Sequence, residues 1–393
     1  MPRMLWLFSV VNLIIGSGAF VIGGILVPMA QGLNVSVPAE GQAMTAYALS
    51  TALLAPLVLL ATGGWSRKRA LIAALTAFAL GNLACALADT LPMLLLGRVL
   101  MGVGAVFTPV AAGIAVALVE PQRRGQALAL VFLGISLSYV VGVPLGSWLG
   151  LTYGWHTAIW AIFAACVVAL GAIMIWVPAD IRAPGARFAG LGGLLSRRDV
   201  LAVLGLTLAY FIAIFAVFSY IGPVLQALVP MGSEQQSLTL ALFGLSGVAG
   251  TLLGGVVNDR FGPRRSLVVQ LTILGGTMAL LPLTAGSWPA LMTALLVWGT
   301  AGFGMMVPQQ SRLAALAPAQ APMLLSLNAS MLYLGTAAGA IVGGAFADRL
   351  GFAQLAWAGL PFVAIGLAIL LAVHTSSTAA APLSPHGREE KAG

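Results

Sequence analysis

Few side chains in this 393-residue sequence can ionise: only 7% are Asp, Glu, Lys or Arg. Aspartate beside arginine occurs twice in nearly the same phrase, "GGVVNDRFG" at Gly254–Gly262 and "GGAFADRLG" at Gly343–Gly351. An Asp-Arg pair at a helix end can make a charge-assisted bond or hold a neighbouring helix terminus, and the glycine that follows permits a tight turn. That is the chemistry of a latch. Arg98 has a different setting, inside an apolar run. A cation there costs at least ~2.5 kcal/mol at a helix centre and less near an end, so it needs a carbonyl, a polar partner or a water-filled cavity. Every Asp and Glu, from Glu40 and Asp89 to Glu389 and Glu390, falls in a loop, a span end or the tail. No carboxylate is therefore expected near the middle of the apolar layer. His156 and His374 stand at span ends and His386 in the tail, so histidine does not replace it as a proton carrier.

These residues must be held by membrane-spanning helices. Hydrophobic residues make up 60% of the chain, whereas soluble domains carry about 25% charged residues. Uncharged runs near 5–30, 42–63, 69–88, 92–119, 125–149, 155–177, 200–228, 235–257, 266–285, 288–311, 322–347 and 352–373 predict twelve spans, each able to supply the roughly 20 residues that cross a bilayer core. They are long and unbroken, unlike the alternating ten-residue segments of a transmembrane barrel. The first run is too long for a signal-peptide core and is read as a mature helix. Cys85 and Cys166 both fall inside spans, as packing residues rather than a disulfide or metal pair. The net charge of +8 comes from basic residues in short loops, which fits membrane orientation better than nucleic-acid binding. Sixteen of the eighteen Lys and Arg share one side of this arrangement, among them Arg3, Arg67–Arg69, Arg123, Arg124, Arg260, Arg264, Arg265 and Arg312. The positive-inside rule puts that side and both termini in the cytoplasm. Three spans separate the Asp-Arg corners, so they face opposite compartments, with Arg349 outside.

A weak internal repeat divides the chain. Gly142 and Gly339 stand 197 residues apart, as do Pro121 and Pro318, and Lys68-Arg69 precedes Arg264-Arg265 by 196. A half-chain offset predicts two six-span bundles of the same orientation: an amino-terminal bundle over 1–177, a cytoplasmic linker over 178–199, a carboxy-terminal bundle over 200–373 and a cytoplasmic tail over 374–393. Small residues recur four apart at Gly142, Gly146 and Gly150, at Gly250 and Gly254, and at Gly335, Gly339 and Gly343. Such stripes allow close helix approach in lipid, either as fixed packing or as a smooth surface on which the halves rock.

Taken together, the motifs resemble those of the major facilitator superfamily, close to the twelve-span drug and sugar efflux branch that includes arabinose-efflux-type permeases. The resemblance covers nearly the whole chain. Gly255-x3-Asp259-Arg260-x-Gly262-x-Arg264-Arg265 is similar to the family's cytoplasmic loop motif. Arg98-x3-Gly102-x-Gly104-Ala105 resembles its Arg-and-glycine motif, and Gly142-Val143-Pro144-Leu145-Gly146 followed by Gly154-Trp155 its antiporter motif. The resemblance implies an all-α integral membrane protein with twelve helices in two pseudo-symmetric bundles. It also implies proton-coupled export by alternating access from the bacterial inner membrane, with these motif residues gating or coupling transport. The first-half loop departs from the pattern, carrying Leu59, Gly63, Gly64 and Ser66 where the second half has Gly255, Asp259, Arg260 and Gly262. Ala19 stands before Phe20 where the efflux branch commonly has an acidic residue.

Substrate contacts are expected from polar or aromatic side chains within spans: Asn12, Tyr47, Tyr139, Tyr210, Phe215, Tyr220, Trp298, Asn328 and Tyr333. With no deep carboxylate and with Arg98 as the deepest ionisable group, the expected cargo is a small neutral or anionic molecule such as a sugar, nucleoside or uncharged drug. A facilitator or uptake permease without proton coupling is the alternative. The chain is expected to act as a monomer in the lipid bilayer, with protons as coupling ion and no cofactor or metal. Gly244-Leu245-Ser246-Gly247 has the spacing around the nucleophile of intramembrane serine proteases. A nucleophilic serine needs a base, and no histidine falls within a span to serve.

Overall fold

Apolar runs of this length satisfy every backbone polar group internally by becoming helices, the form a bilayer core demands. The computed structural model of the protein describes residues 2–179, 181 and 191–372. Residues 180 and 182–190 of the 178–199 linker and all of the 374–393 tail lie outside the described residues, and with them Arg182, Arg187, His374, His386, Arg388 and Lys391. Twelve helices are long and apolar enough to span a membrane: Arg3–Phe20, Val37–Ala61, Arg67–Ala86, Leu91–Ala117, Arg124–Tyr153, Trp155–Trp176, Arg198–Phe218, Ser233–Phe261, Pro263–Thr284, Trp288–Leu316, Met323–Leu350 and Leu355–Ala372. They form two six-helix bundles and match the expected spans in number and order. The molecule has a basic end, where the first helix begins and where Arg67–Arg69, Arg264 and Arg265 lie. The opposite end is the far end.

Local chemistry sets the helix ends. Ser36, Ser66 and Ser287 each cap a helix by accepting an N–H three residues on, from Ala39, Arg69 and Ala290. Pro38 follows Ser36 in the first turn, where its missing N–H costs nothing. The second helix therefore starts at Val37, five residues before the run read from hydropathy, and Glu40 belongs to its first turn. Gly262 and Gly351 end the eighth and eleventh helices with φ +79° at both, so the two Asp-Arg corners share one local geometry at opposite ends of the molecule.

Several spans are broken, which hydropathy did not reveal. The first continues past Phe20 as Ile22–Gly32, with Ile25 at φ −115°, ψ 16°. The seventh continues past Phe218 as Ile221–Leu228, with Tyr220 at φ −119°, ψ 27°. The fourth and tenth are interrupted after Gly104 and Gly304, and the fifth carries a wide turn at Ser138–Gly142. First and seventh, like fourth and tenth, are counterparts in the repeat.

The glycine stripes pack within bundles. Gly142, Gly146 and Gly150 face Ser17, Val21 and Ile25 of the first helix; Gly250 and Gly254 face Thr300 and Gly304 of the tenth; Gly335, Gly339 and Gly343 face Phe211, Ile212 and Ala216 of the seventh. Each stripe thus binds a helix to a partner in its own half. The surface between the halves is built by other residues.

Candidate functional site

The seam between the halves starts at the far end, where the two broken helices cross. A Cβ on Gly23 would lie 2.8 Å from the carbonyl oxygen of Phe218, and one on Gly222 would lie 2.9 Å from those of Gly23 and Gly24. Only glycine lets the two backbones approach so closely. The freed carbonyl of Gly24 accepts a 2.8 Å bond from Nε2 of Gln236, across the seam on the eighth helix. Beside this crossing the second helix meets the eleventh. The Tyr220 hydroxyl donates to the carbonyl of Ala340 at 2.9 Å and reaches that of Pro38 at 3.4 Å, and a Cβ on Gly41 would run into the Tyr220 ring. Thr45 and Ala337 also meet, at 3.5 Å, and Thr152 reaches Ser233 at 3.1 Å. Gly344 of the second Asp-Arg phrase packs on Tyr220 and Gln42, which places the eleventh helix's last turns in this seal.

Just inside the seal lies Arg98, only 1% exposed. It does not snorkel to the surface. Its Nη1 and Nη2 donate to the carbonyls of Gly18 and Ala19 at 2.8 and 2.7 Å, and its Nε to that of Ala43 at 3.1 Å. The guanidinium also lies 4.8 Å from the centre of the Tyr47 ring, a cation–π distance. One cation thus braces the first helix beside its break and ties it to the second and fourth. Its donors are turned to the main chain. Glu40, one turn before Ala43, is fully buried, and neither carboxylate oxygen has a hydrogen-bond partner among the described residues. Composition hid this residue because the hydropathic run begins after it. The Ser-Val-Pro start signal at Ser36 would have exposed it.

Towards the middle of the molecule an aromatic cluster bridges the halves. Phe20 stacks on Tyr139 at 5.0 Å and meets Phe215 at 5.9 Å. Tyr139 meets Phe218 at 5.7 Å and Phe303 at 5.1 Å, while Phe243 meets Phe218 and Phe303 at 5.8 and 6.1 Å. Tyr47 and Tyr333 face one another across the seam at 6.4 Å, and Tyr139 is close enough to both to interact electrostatically. Most of these rings are buried; Tyr139, Phe303 and Tyr333 keep part of their surface accessible.

The structure thus brings together Tyr47, Tyr139, Tyr333 and Phe215 of the expected contact residues. It adds Phe20, Phe218, Phe243 and Phe303, whose residue type gave no reason to separate them from packing. The remaining candidates lie elsewhere. Asn12 donates to Val131 and accepts from Thr108 within the first bundle. Tyr210 donates to the carbonyl of Gly302, and Trp298 is buried against Phe243. Tyr220 sits in the seal. Asn328 accepts from Thr207 at 2.6 Å, and Thr207 in turn accepts from Gln309 at 2.8 Å. One turn beyond Gln309 is Arg312, also buried, whose Nε and Nη1 have no partner among the described residues.

At the basic end the first Asp-Arg corner is open. Among the described residues Asp259 accepts only from its neighbour Asn258, at 3.2 Å, Arg260 lies over the Phe261 ring, and Arg264 donates to Leu371 of its own bundle. The other motif positions pack: Gly102 against Tyr47 and Ser50, while Pro144 and Gly146 are buried in the fifth helix. A Cβ on Gly255 would stand in open space, and Arg265 is exposed. Ser246 donates to the carbonyl of Phe243 at 2.7 Å and packs on Gly299, as a helix-packing residue. Both cysteines are buried and unpaired.

Relatives share this architecture. The chain is 31% identical to a chloramphenicol resistance protein of Streptomyces lividans, over 97% of this chain and 99% of that one. It is 30% identical to the inner membrane transport protein YdhP of Escherichia coli (strain K12), over 90% and 92%. A probable sugar efflux transporter of Pasteurella multocida is 26% identical over 98% and 95%. Among solved structures, a bacterial homolog of the human lysosomal transporter Spinster, crystallised in an inward-facing and occupied conformation, superposes with a TM-score of 0.77. It does so at 16% identity, over 94% of this chain and 96% of that one. The family model described as Major Facilitator Superfamily matches residues 8–314 and again 206–392. With two helical bundles joined across a seam, and relatives and family that are transporters rather than enzymes, the chain belongs to the Major Facilitator Superfamily of membrane transporters.

Proposed function

We propose that the protein is a proton-coupled exporter of a small uncharged or anionic molecule, working as a monomer by alternating access in a bacterial inner membrane. The aromatic cluster carries this reading. Rings from both halves leave Tyr139, Phe303 and Tyr333 partly accessible, and the cluster contains tyrosine hydroxyls but no carboxylate. Apolar walls with a few placed polar groups suit a ligand with an aromatic or apolar body and neutral hydrogen-bonding groups. A permanent cation would find no counter-ion there. Two relatives bear names pointing to chloramphenicol resistance and to sugar efflux, both compatible with an uncharged cargo.

The basic end faces the cytoplasm on this reading, since Lys and Arg accumulate on that side of membranes. The described conformation is then closed to the outside. Cysteine placed at Arg349 is expected to react with an impermeant thiol reagent added to intact cells, and cysteine at Arg264 is not. The reverse pattern overturns the orientation.

Counterflow in proteoliposomes tests the function, using chloramphenicol, sugars, nucleosides and ethidium with and without an imposed pH gradient. Saturable, gradient-driven exchange of a neutral compound, lost in Tyr139→Ala, is the expected result. Exchange that ignores the gradient identifies a facilitator instead. Saturable export of ethidium alone, with no response to neutral compounds, refutes the inference from charge.

A further inference from the structure

Glu40 has a setting that a structural carboxylate does not need. Its side chain is 0% exposed, and both oxygens are buried without a donor. Its turn belongs to the seal: Pro38 and Gly41 lie against Tyr220, and Gln42 lies beside Gly344. An ionised carboxylate enclosed without hydrogen bonds pays a desolvation penalty of several kcal/mol, which a buried group escapes by taking a proton. Arg98 is near enough to interact with it electrostatically, yet its bonds go to Gly18, Ala19 and Ala43 and no ion pair forms. Among the other elements around this turn, Cys85 on the third helix is a buried thiol and Tyr220 a phenol engaged with Ala340. Tyr333 lies further along the eleventh helix, while Asp348 and Arg349 near its end are exposed. The Ile22–Gly32 segment carries no ionisable side chain. No neighbour neutralises Glu40 by direct contact.

We propose that Glu40 is a proton-binding site of the far-end gate, and that the seam closes only over its protonated form. A proton from solvent on the far side adds to the carboxylate to give the neutral acid. When the seam parts, water reaches the group and the proton leaves, with Arg98 nearby favouring the anion. The sign follows from linkage: the closed form binds the proton more tightly than the open form, so lowering far-side pH populates the closed form. The inference rests on the reading that this seam opens during transport.

Double electron–electron resonance tests it, with spin labels at exposed Leu87 and Leu283, one on each half at the far end. The protein would carry Cys85→Ala and Cys166→Ala and sit in lipid nanodiscs. The short-distance population is expected to grow as pH falls, by up to ~10-fold in the closed/open ratio per pH unit for one proton. Glu40→Gln should hold the short distance at all pH values, while Glu40→Asp keeps a pH response. Equal pH dependence in Glu40→Gln and the parent, or none in the parent, overturns the proposal. If Glu40→Gln fails to fold, the Glu40→Asp titration decides: a midpoint displaced from the parent's is expected, and an unchanged midpoint overturns the proposal. A single distance under every condition, cargo included, removes the opening seam itself and the proposal with it.

Discussion

The fourth and tenth helices are counterparts in the internal repeat, and each buries an arginine, but the two guanidinium groups are in opposite situations. Arg98, towards the far end, gives its donors to three carbonyls. Arg312, towards the basic end, leaves Nε and Nη1 without partners. The first lies beneath a seam closed by Gly23, Gly222, Tyr220 and Gln236; the second lies on the side where Asp259 and Arg260 contact only their own neighbours. A buried donor left unmade costs about 1–3 kcal/mol, more when charged. In this conformation, then, one of the two buried arginines has its acceptors and its counterpart does not, while Glu40 in the far-end seam is itself left without a donor among the described residues. If the halves alternate as proposed above, closure of the basic end is expected to bring acceptors to Arg312.

Removing each arginine should break this symmetry most strongly. Arg98→Gln removes the guanidinium's bonds to the carbonyls of Gly18, Ala19 and Ala43, and bonds to a charged donor are worth about 1.5–3 kcal/mol each. The expected outcome is loss of transport with a marked fall in melting temperature in detergent. Arg312→Gln should leave that temperature unchanged or higher while slowing turnover. Equal destabilisation by both would refute the contrast.

Next in size is the helix crossing. Gly222→Val pushes a side chain into the Gly23 and Gly24 carbonyls, so the far end should stay open and transport should fall at least ~10-fold, one decade per 1.4 kcal/mol lost from the closed form. Labelling of a cysteine at Ser233 by an impermeant reagent should rise in parallel. Tyr220→Phe deletes a hydroxyl that bonds Ala340 within its own bundle and reaches Pro38 across the seam only at 3.4 Å; with a neutral bond worth about 0.5–1.5 kcal/mol, the closed/open ratio should shift by less than about tenfold without harm to insertion. Smallest is Asp259→Asn. If that corner latches the basic end once it closes, turnover should drop severalfold while the far-end equilibrium stays put. Normal turnover in a well-expressed variant removes the latch.

The twelve spans were legible because long apolar runs have one solution in a bilayer, and the two-bundle plan because the half-chain offset survived in Gly142/Gly339 and Pro121/Pro318. Arg98 stood out as a charge in an apolar run. Its partners did not, because they are main-chain carbonyls that any sequence possesses. The breaks at Ile25 and Tyr220 do carry a signal, Pro28 and Pro223 three residues on, each lacking the N–H that would bond the carbonyl four residues earlier, at Gly24 and Ser219; hydropathy does not register it, and the donor that satisfies Gly24, Gln236, comes from a helix distant in sequence. Glu40 was read as a loop residue because hydropathy begins after it, although Ser36 and Pro38 mark the true helix start. Tyr47, Tyr139 and Tyr333 were candidates by type. Phe20, Phe218, Phe243 and Phe303 were not, since an apolar ring in an apolar span is ordinarily lipid-facing or core, and sequence alone does not say which neighbour it meets.

The crossing of the first and seventh helices has a consequence for how this gate can drift over generations. Its closest contacts run from backbone to backbone, Gly23 to Phe218 and Gly222 to Gly24, so at the crossing itself the seal demands glycine and little else of side-chain identity. Neighbouring positions can exchange one apolar residue for another without altering the shape that must close. If cargo is held by the rings below, as proposed, its preference can change by substitutions that leave the crossing glycines untouched.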